Sequence, residues 1–64
     1  MQYVIIIVSE NVYFAGFDGD ELSFAESLKG AKKYNCLKAI KKDIKTLKKM
    51  MTVKYDFTHL KINN

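Results

Sequence analysis

The chain has 64 residues with a single cysteine, a single histidine and a formal net charge of +4. A domain of this size buries only about 60% of the surface its unfolded form exposes, so it is marginally stable unless something reinforces it. Cys36 has no second cysteine to pair with, and one cysteine with one histidine, His59, cannot build a structural zinc site. Self-association is the reinforcement left to expect, in one domain spanning 1–64.

Charge is divided along the chain. Glu10, Asp18, Asp20, Glu21 and Glu26 precede residue 27, and every lysine lies from Lys29 onward. Such halves can pair within a monomer, between subunits or with separate partners. The basic residues are all lysine, and tryptophan and proline are missing, a composition that an AT-rich genome produces. The apolar run Tyr3–Val8 is too short for a membrane span and no basic segment precedes it, so a soluble, cytoplasmic protein is expected.

Tyr3–Val8 is rich in β-branched residues and apolar on both faces, which predicts a central strand. Ser9-Glu10-Asn11 breaks it, and Val12–Phe17 reads as the returning strand of a hairpin, with Gly16 marking a bulge or a close backbone contact. Asp18-Gly-Asp-Glu21 is a second turn, since its D-G-D-E spacing does not follow that of a calcium loop. Leu22–Leu28 fits either a capped short helix or a third strand, and strand is the preferred reading. Lys29–Lys33 is an irregular turn, after which Tyr34 is expected to point inward.

Cys36–Met51 is the most legible stretch. Leu37, Ile40, Ile44, Leu47 and Met51 recur at three- and four-residue steps and form one stripe of a helix. Lys38, Lys41, Lys42, Lys45, Lys48 and Lys49 fall in a single sector across from it, with Asp43, Thr46 and Ala39 at the other margin. Asn35 is the expected N-cap, Lys48 and Lys49 suit the negative end of the helix dipole, and Cys36 is expected as an inert thiol at the margin of the core. Asp43 is the helix's only acid and has no lysine three or four residues away. Like-charge lysine neighbours cost on the order of 1–3 kcal/mol in sum at low salt. Acids elsewhere in the fold or a partner are expected to offset this. Thr52–Phe57 reads as the last strand, with Val53, Tyr55 and Phe57 on one face and a kink near Thr58-His59 before Leu60 and Ile62.

No nucleophile–base pair, carboxylate pair or glycine-rich phosphate loop is legible, so neither enzyme activity nor a cofactor or metal is expected. His59 is read as structural. The lysine sector (Lys38, Lys41, Lys42, Lys45, Lys48, Lys49) is the candidate partner-binding face. It carries none of the Arg, Asn or Gln that usually read bases, so a nucleic-acid role is the alternative rather than the first choice. One helix covers one sheet face only, which leaves Val4, Ile6, Val8, Tyr13 and Phe17 as a candidate oligomer face and a homodimer as the expected assembly.

A YVIIIV strand, a YFAGF return strand, a polar turn and LKGAKKY leading into a lysine-rich helix and a final strand together resemble small accessory proteins of phages of low-GC bacteria. The likeness covers about Tyr3 to Ile62, with Ala31, Tyr34 and Ala39 its most recognisable positions. Some phage proteins of this size are inhibitors of host defence, anti-CRISPR proteins among them. The resemblance therefore implies stoichiometric binding to a bacterial defence protein, without catalysis. A second resemblance is to HicB-like antitoxins, whose β-β-β-α-β core opens with a similar strand; here LKGAKKYNC stands where those proteins have an acidic helix start. The expected fold is α+β, a small antiparallel sheet in the order β-β-β-α-β with the amphipathic helix on one face.

Overall fold

The computed structural model describes residues 2–51 and 55–62. Four strands, β1 (Gln2–Ile7), β2 (Val12–Asp18), β3 (Glu21–Ala25) and β4 (Phe57–Ile62), form one antiparallel sheet in the order β3-β2-β1-β4. A 3-10 turn (Leu28–Gly30) and the helix α1 (Leu37–Met50) lie between β3 and β4. The α+β architecture and the central place of β1 are those expected from the alternation and β-branching of the chain. Residues 21–25 are strand rather than helix.

The hairpins follow from residue chemistry. Asn11 ends the first turn with φ 54°, a region that asparagine tolerates better than most residues. Gly19, at φ 63°, takes the first position of the two-residue turn between the paired Asp18 and Glu21. Gly16 lies at φ 132° beside a register shift between β2 and β3, so the bulge is real. Its consequence is a change of parity. In a regular strand Phe14 and Phe17 would face opposite sides; the extra residue puts them together, with ring centroids 4.9 Å apart.

β1 and β2 are paired only near their shared turn, at Ile6–Tyr13 and Ile7–Val12. Toward their other ends residues 32–34 take up the pairing. Tyr3 and Tyr34 exchange two backbone hydrogen bonds of 2.8 Å each, and the Lys32 N–H donates to the Phe14 carbonyl at 2.9 Å. The chain enters this wedge from the 3-10 turn, which packs against β2 and β3. Gly30 stands so close to Ala25 that a Cβ would come within 2.8 Å of the Ala25 Cβ. Lys33 Nζ donates to the carbonyls of Leu28 (2.7 Å) and Ala31 (2.9 Å) and so closes the turn.

The core lies between α1 and the sheet: Ile5, Phe14, Tyr34, Ile40 and Leu47, with Tyr3, Leu22, Ile44 and Phe57 against it. Ile40 and Leu47 are fully buried while Ile44, at the centre of the expected stripe, is half-buried and Leu37 is exposed. The helix backbone runs over β1 and β4 and near neither β2 nor β3.

Three expectations about helix and strand ends are corrected. The N-cap is Cys36, extended at φ −147° and ψ 148° and making no side-chain cap bond, not Asn35. Pairing with Tyr3 holds Tyr34 extended, so the helix starts later. Asn35 Oδ1 instead accepts from Gln2 Nε2 at 3.5 Å, and the Cys36 thiol is exposed rather than in the core. Finally, β4 begins at Phe57 and pairs residue for residue with β1 to Ile62, with no kink at Thr58-His59. The parity change there is the two-sided sheet itself: Phe57 faces the helix, and Leu60 and Ile62 face away. The expected strand residues Thr52, Val53 and Lys54 lie outside the described residues.

Replacing Ile40 or Leu47 by alanine is expected to cost about 2–5 kcal/mol in urea unfolding, and Ile44→Ala less than either. A larger loss at Ile44 than at both others would mean that the helix is rotated from this seat.

Candidate functional site

The six lysines Lys38, Lys41, Lys42, Lys45, Lys48 and Lys49 are all exposed on α1. Among the described residues the one ion pair is Lys32–Asp43, 3.4 Å between Nζ and Oδ2, so none of these six makes an ion pair there. Among the described residues none of the acids before residue 27 forms an ion pair with them, and Glu10, Asp18, Asp20, Glu21 and Glu26 are exposed.

Asp43, the helix's own acid, is used for attachment instead. The Tyr34 hydroxyl donates to Asp43 Oδ2 at 2.6 Å, and Lys32 joins the same oxygen. Lys32 Nζ also stands 5.0 Å from the centroid of the Tyr34 ring and 5.8 Å from that of Phe17. Burial is the largest reason that the Tyr34 hydroxyl is held well above the usual tyrosine range, followed by its hydrogen bond to Asp43 and by the charge there. Sequence reasoning missed this cluster. The available signal was an acid at the margin of the buried stripe with no lysine at helical spacing.

The candidate oligomer face is divided by the structure. Val4 is fully buried and offers a second copy no surface. The bulge carries Phe17 to the helix side, beside Phe14. Val8 lies past the end of β1, exposed. Ile6 and Tyr13 remain, opposite each other and half-buried, with Leu60 exposed near them on the same side.

On the helix side a different apolar surface is open. Phe17 and Phe24 are more than a third exposed, 37% and 38%, on the part of the sheet that α1 leaves uncovered. Phe14 makes edge contacts with both rings, and Leu22 completes the shelf.

His59 pairs with Ile5 on β4 and meets the Tyr3 ring edge-on at 6.3 Å, a packing role. Among the described residues no group of three His, Cys, Asp or Glu is placed to hold a metal ion, and no helix is long and apolar enough to cross a membrane. Comparison with protein-family models, curated proteins and solved structures gave no match.

Tyr34→Phe is expected to cost about 1.5–3 kcal/mol, because it removes a hydrogen bond to a charged acceptor. Its pH dependence has a definite sign. A raised folded pKa means that the contribution is intact below the unfolded value of about 10 and is lost as pH rises beyond it. Unfolding free energies of wild type and Tyr34→Phe should therefore converge above about pH 10. A difference unchanged by pH would contradict the Tyr34–Asp43 bond.

Proposed function

We propose that this chain is a non-enzymatic, stoichiometric protein-binding module, an inhibitor from a phage or mobile element that binds a bacterial defence protein. The observation that carries this reading is the lysine face, six exposed cations that make no ion pair among the described residues. Like charges held on one helix repel by a few tenths of a kcal/mol per neighbouring pair. An acidic patch on a target, or a groove that otherwise takes nucleic acid, relieves that repulsion on binding. The sequence resemblance to small phage accessory proteins supports the same reading. This reading assigns no chemistry to Cys36, which N-caps α1, or to His59 on β4.

The second reading is a nucleic-acid-binding or HicB-like regulator that uses the same lysines on phosphates. The lysines separate the two. On the inhibitor reading, purified protein binds neither DNA nor RNA at micromolar concentration in physiological salt. It then captures one host protein at a one-to-one ratio, and changing Lys41, Lys45 and Lys48 together to glutamine abolishes the capture. Micromolar or tighter binding of free nucleic acid, lost with those lysines and flattened in its salt slope, would favour the regulator.

A further inference from the structure

We infer that the outer edge of β4, beneath the lysine margin of α1, takes up an extended acidic segment of a partner protein as a fifth strand of the sheet. The edge presents a row of open backbone groups. Val8 donates to the Asp56 carbonyl at 3.4 Å, and from there β4 pairs with β1 residue for residue. An antiparallel ladder turns alternate residues inward and outward. Thr58, Leu60 and Ile62 therefore bond to β1, while the N–H and C=O groups of Phe57, His59 and Lys61 point away from it. Tyr3, opposite Lys61, fixes the phase, since its own backbone groups turn the other way, to Tyr34. β4 ends the sheet, and among the described residues no hydrogen bond reaches these outward groups. The strand has neither proline nor bulge to deter another strand.

A basic margin stands over that edge. The side chains of Phe57, His59 and Lys61 share the helix side of the sheet, Phe57 against the core and His59 at the Tyr3 ring. α1 runs over β1 and β4, and its Asp43 margin is turned to Tyr34 and Lys32 in the wedge. At about 100° per residue, Lys41, Lys48 and, further out, Lys45 are on the opposite margin, toward the free edge of β4. They and Lys61 are exposed and make no ion pair among the described residues. A lysine on an edge strand ordinarily deters pairing. Under the cations of α1, Lys61 instead selects an incoming strand with carboxylates on this side. On the other side of the sheet Leu60 is exposed and Ile62 half-buried, so that face of the incoming strand is apolar. The occupant is thus an antiparallel strand that alternates acidic and apolar residues. Extended backbone satisfies the edge, which a nucleic-acid duplex or a helix does not. A second copy does not fit. β4 against β4 about a two-fold axis sets His59 opposite His59 and brings both lysine margins to one side. β4 against a copy's β3 brings Leu22 and Phe24 to that side rather than acids. Such a segment is one form of the acidic target proposed above, so the pairing rests on that protein-binding reading. A captured host protein that left the β4 edge open would spare the reading and overturn the pairing.

Two end-blocked peptides of about eight residues test it, one alternating glutamate with valine and the other lysine with valine. In amide hydrogen exchange the free protein should show slow Thr58 and Leu60 and fast His59 and Lys61. The acidic peptide should slow His59 and Lys61 toward the rate of Thr58, and the lysine peptide should bind about tenfold more weakly or not at all. N-methylation of the glutamate amides, which face β4 in an antiparallel pair, should abolish binding. Lys41→Gln, Lys48→Gln and Lys61→Gln together should weaken it about tenfold. Unchanged protection at Thr58 would show that this variant is folded. The proposal is overturned if the acidic peptide fails to bind at millimolar concentration, or binds and leaves His59 and Lys61 fast. Slow exchange at those two amides in the free protein, a lysine peptide that binds as well, or binding that survives N-methylation or the three substitutions would overturn it equally.

Discussion

The fold depends on three residues that fill a gap in the sheet. β1 and β2 diverge after two residue pairs, and at Tyr3 and Phe14 their backbone groups turn toward each other across a space with no strand in it. Buried backbone groups left unpaired are costly. Lys32 and Tyr34 supply the missing partners. The connection from β3 to α1 is thus part of the sheet rather than a link between layers. It carries the Tyr34 side chain into the core and its hydroxyl to Asp43, midway along the helix. One short segment thereby fastens both central strands to the helix in a chain with no disulfide.

This attachment has an electrostatic consequence. The only acid of α1 is committed to Tyr34 and Lys32, so the helix has no internal counterion for its six exposed lysines. The same device that holds the helix in place leaves a concentrated positive face exposed. The position of the helix over β1 and β4 leaves the Phe17–Phe24 shelf open on the same side of the sheet. Holding the fold together and presenting surfaces are therefore two results of one placement. They meet at Lys32, whose ammonium group lies near the carboxylate, the core tyrosine and the edge of the shelf.

Much of the architecture was legible in local pattern. The stripe from Ile40 to Met51 announces the helix, β-branching at Val4–Val8 announces the central strand, and Gly16 announces the bulge, because each is a property of neighbouring residues. What was not legible is set by contacts distant in sequence. Asn35 looks like an N-cap, but Tyr3, more than thirty residues earlier, holds Tyr34 extended and moves the helix start. Phe17 shares a face with Tyr13 by simple alternation, and only the observed bulge moves it beside Phe14. Leu60 and Ile62 suggest a kink when one face is assumed to be buried, whereas a sheet apolar on both sides needs none. Of the candidate site, the lysine sector was readable from spacing alone. The shelf was not, because it exists only where the helix is absent.

Amide hydrogen exchange tests the wedge most directly, since it reads each backbone hydrogen bond separately. The account predicts that the amides of Tyr3, Lys32 and Tyr34 exchange as slowly as those of Ile6 in the β1–β4 ladder and Leu47 in mid-helix, through global unfolding, while the turn amides of Glu10 and Asn11 exchange much faster. If Lys32 and Tyr34 exchanged at the rate of those turn residues, the segment would be a surface connection. The fold would then need another explanation for how its central strands and helix are held together.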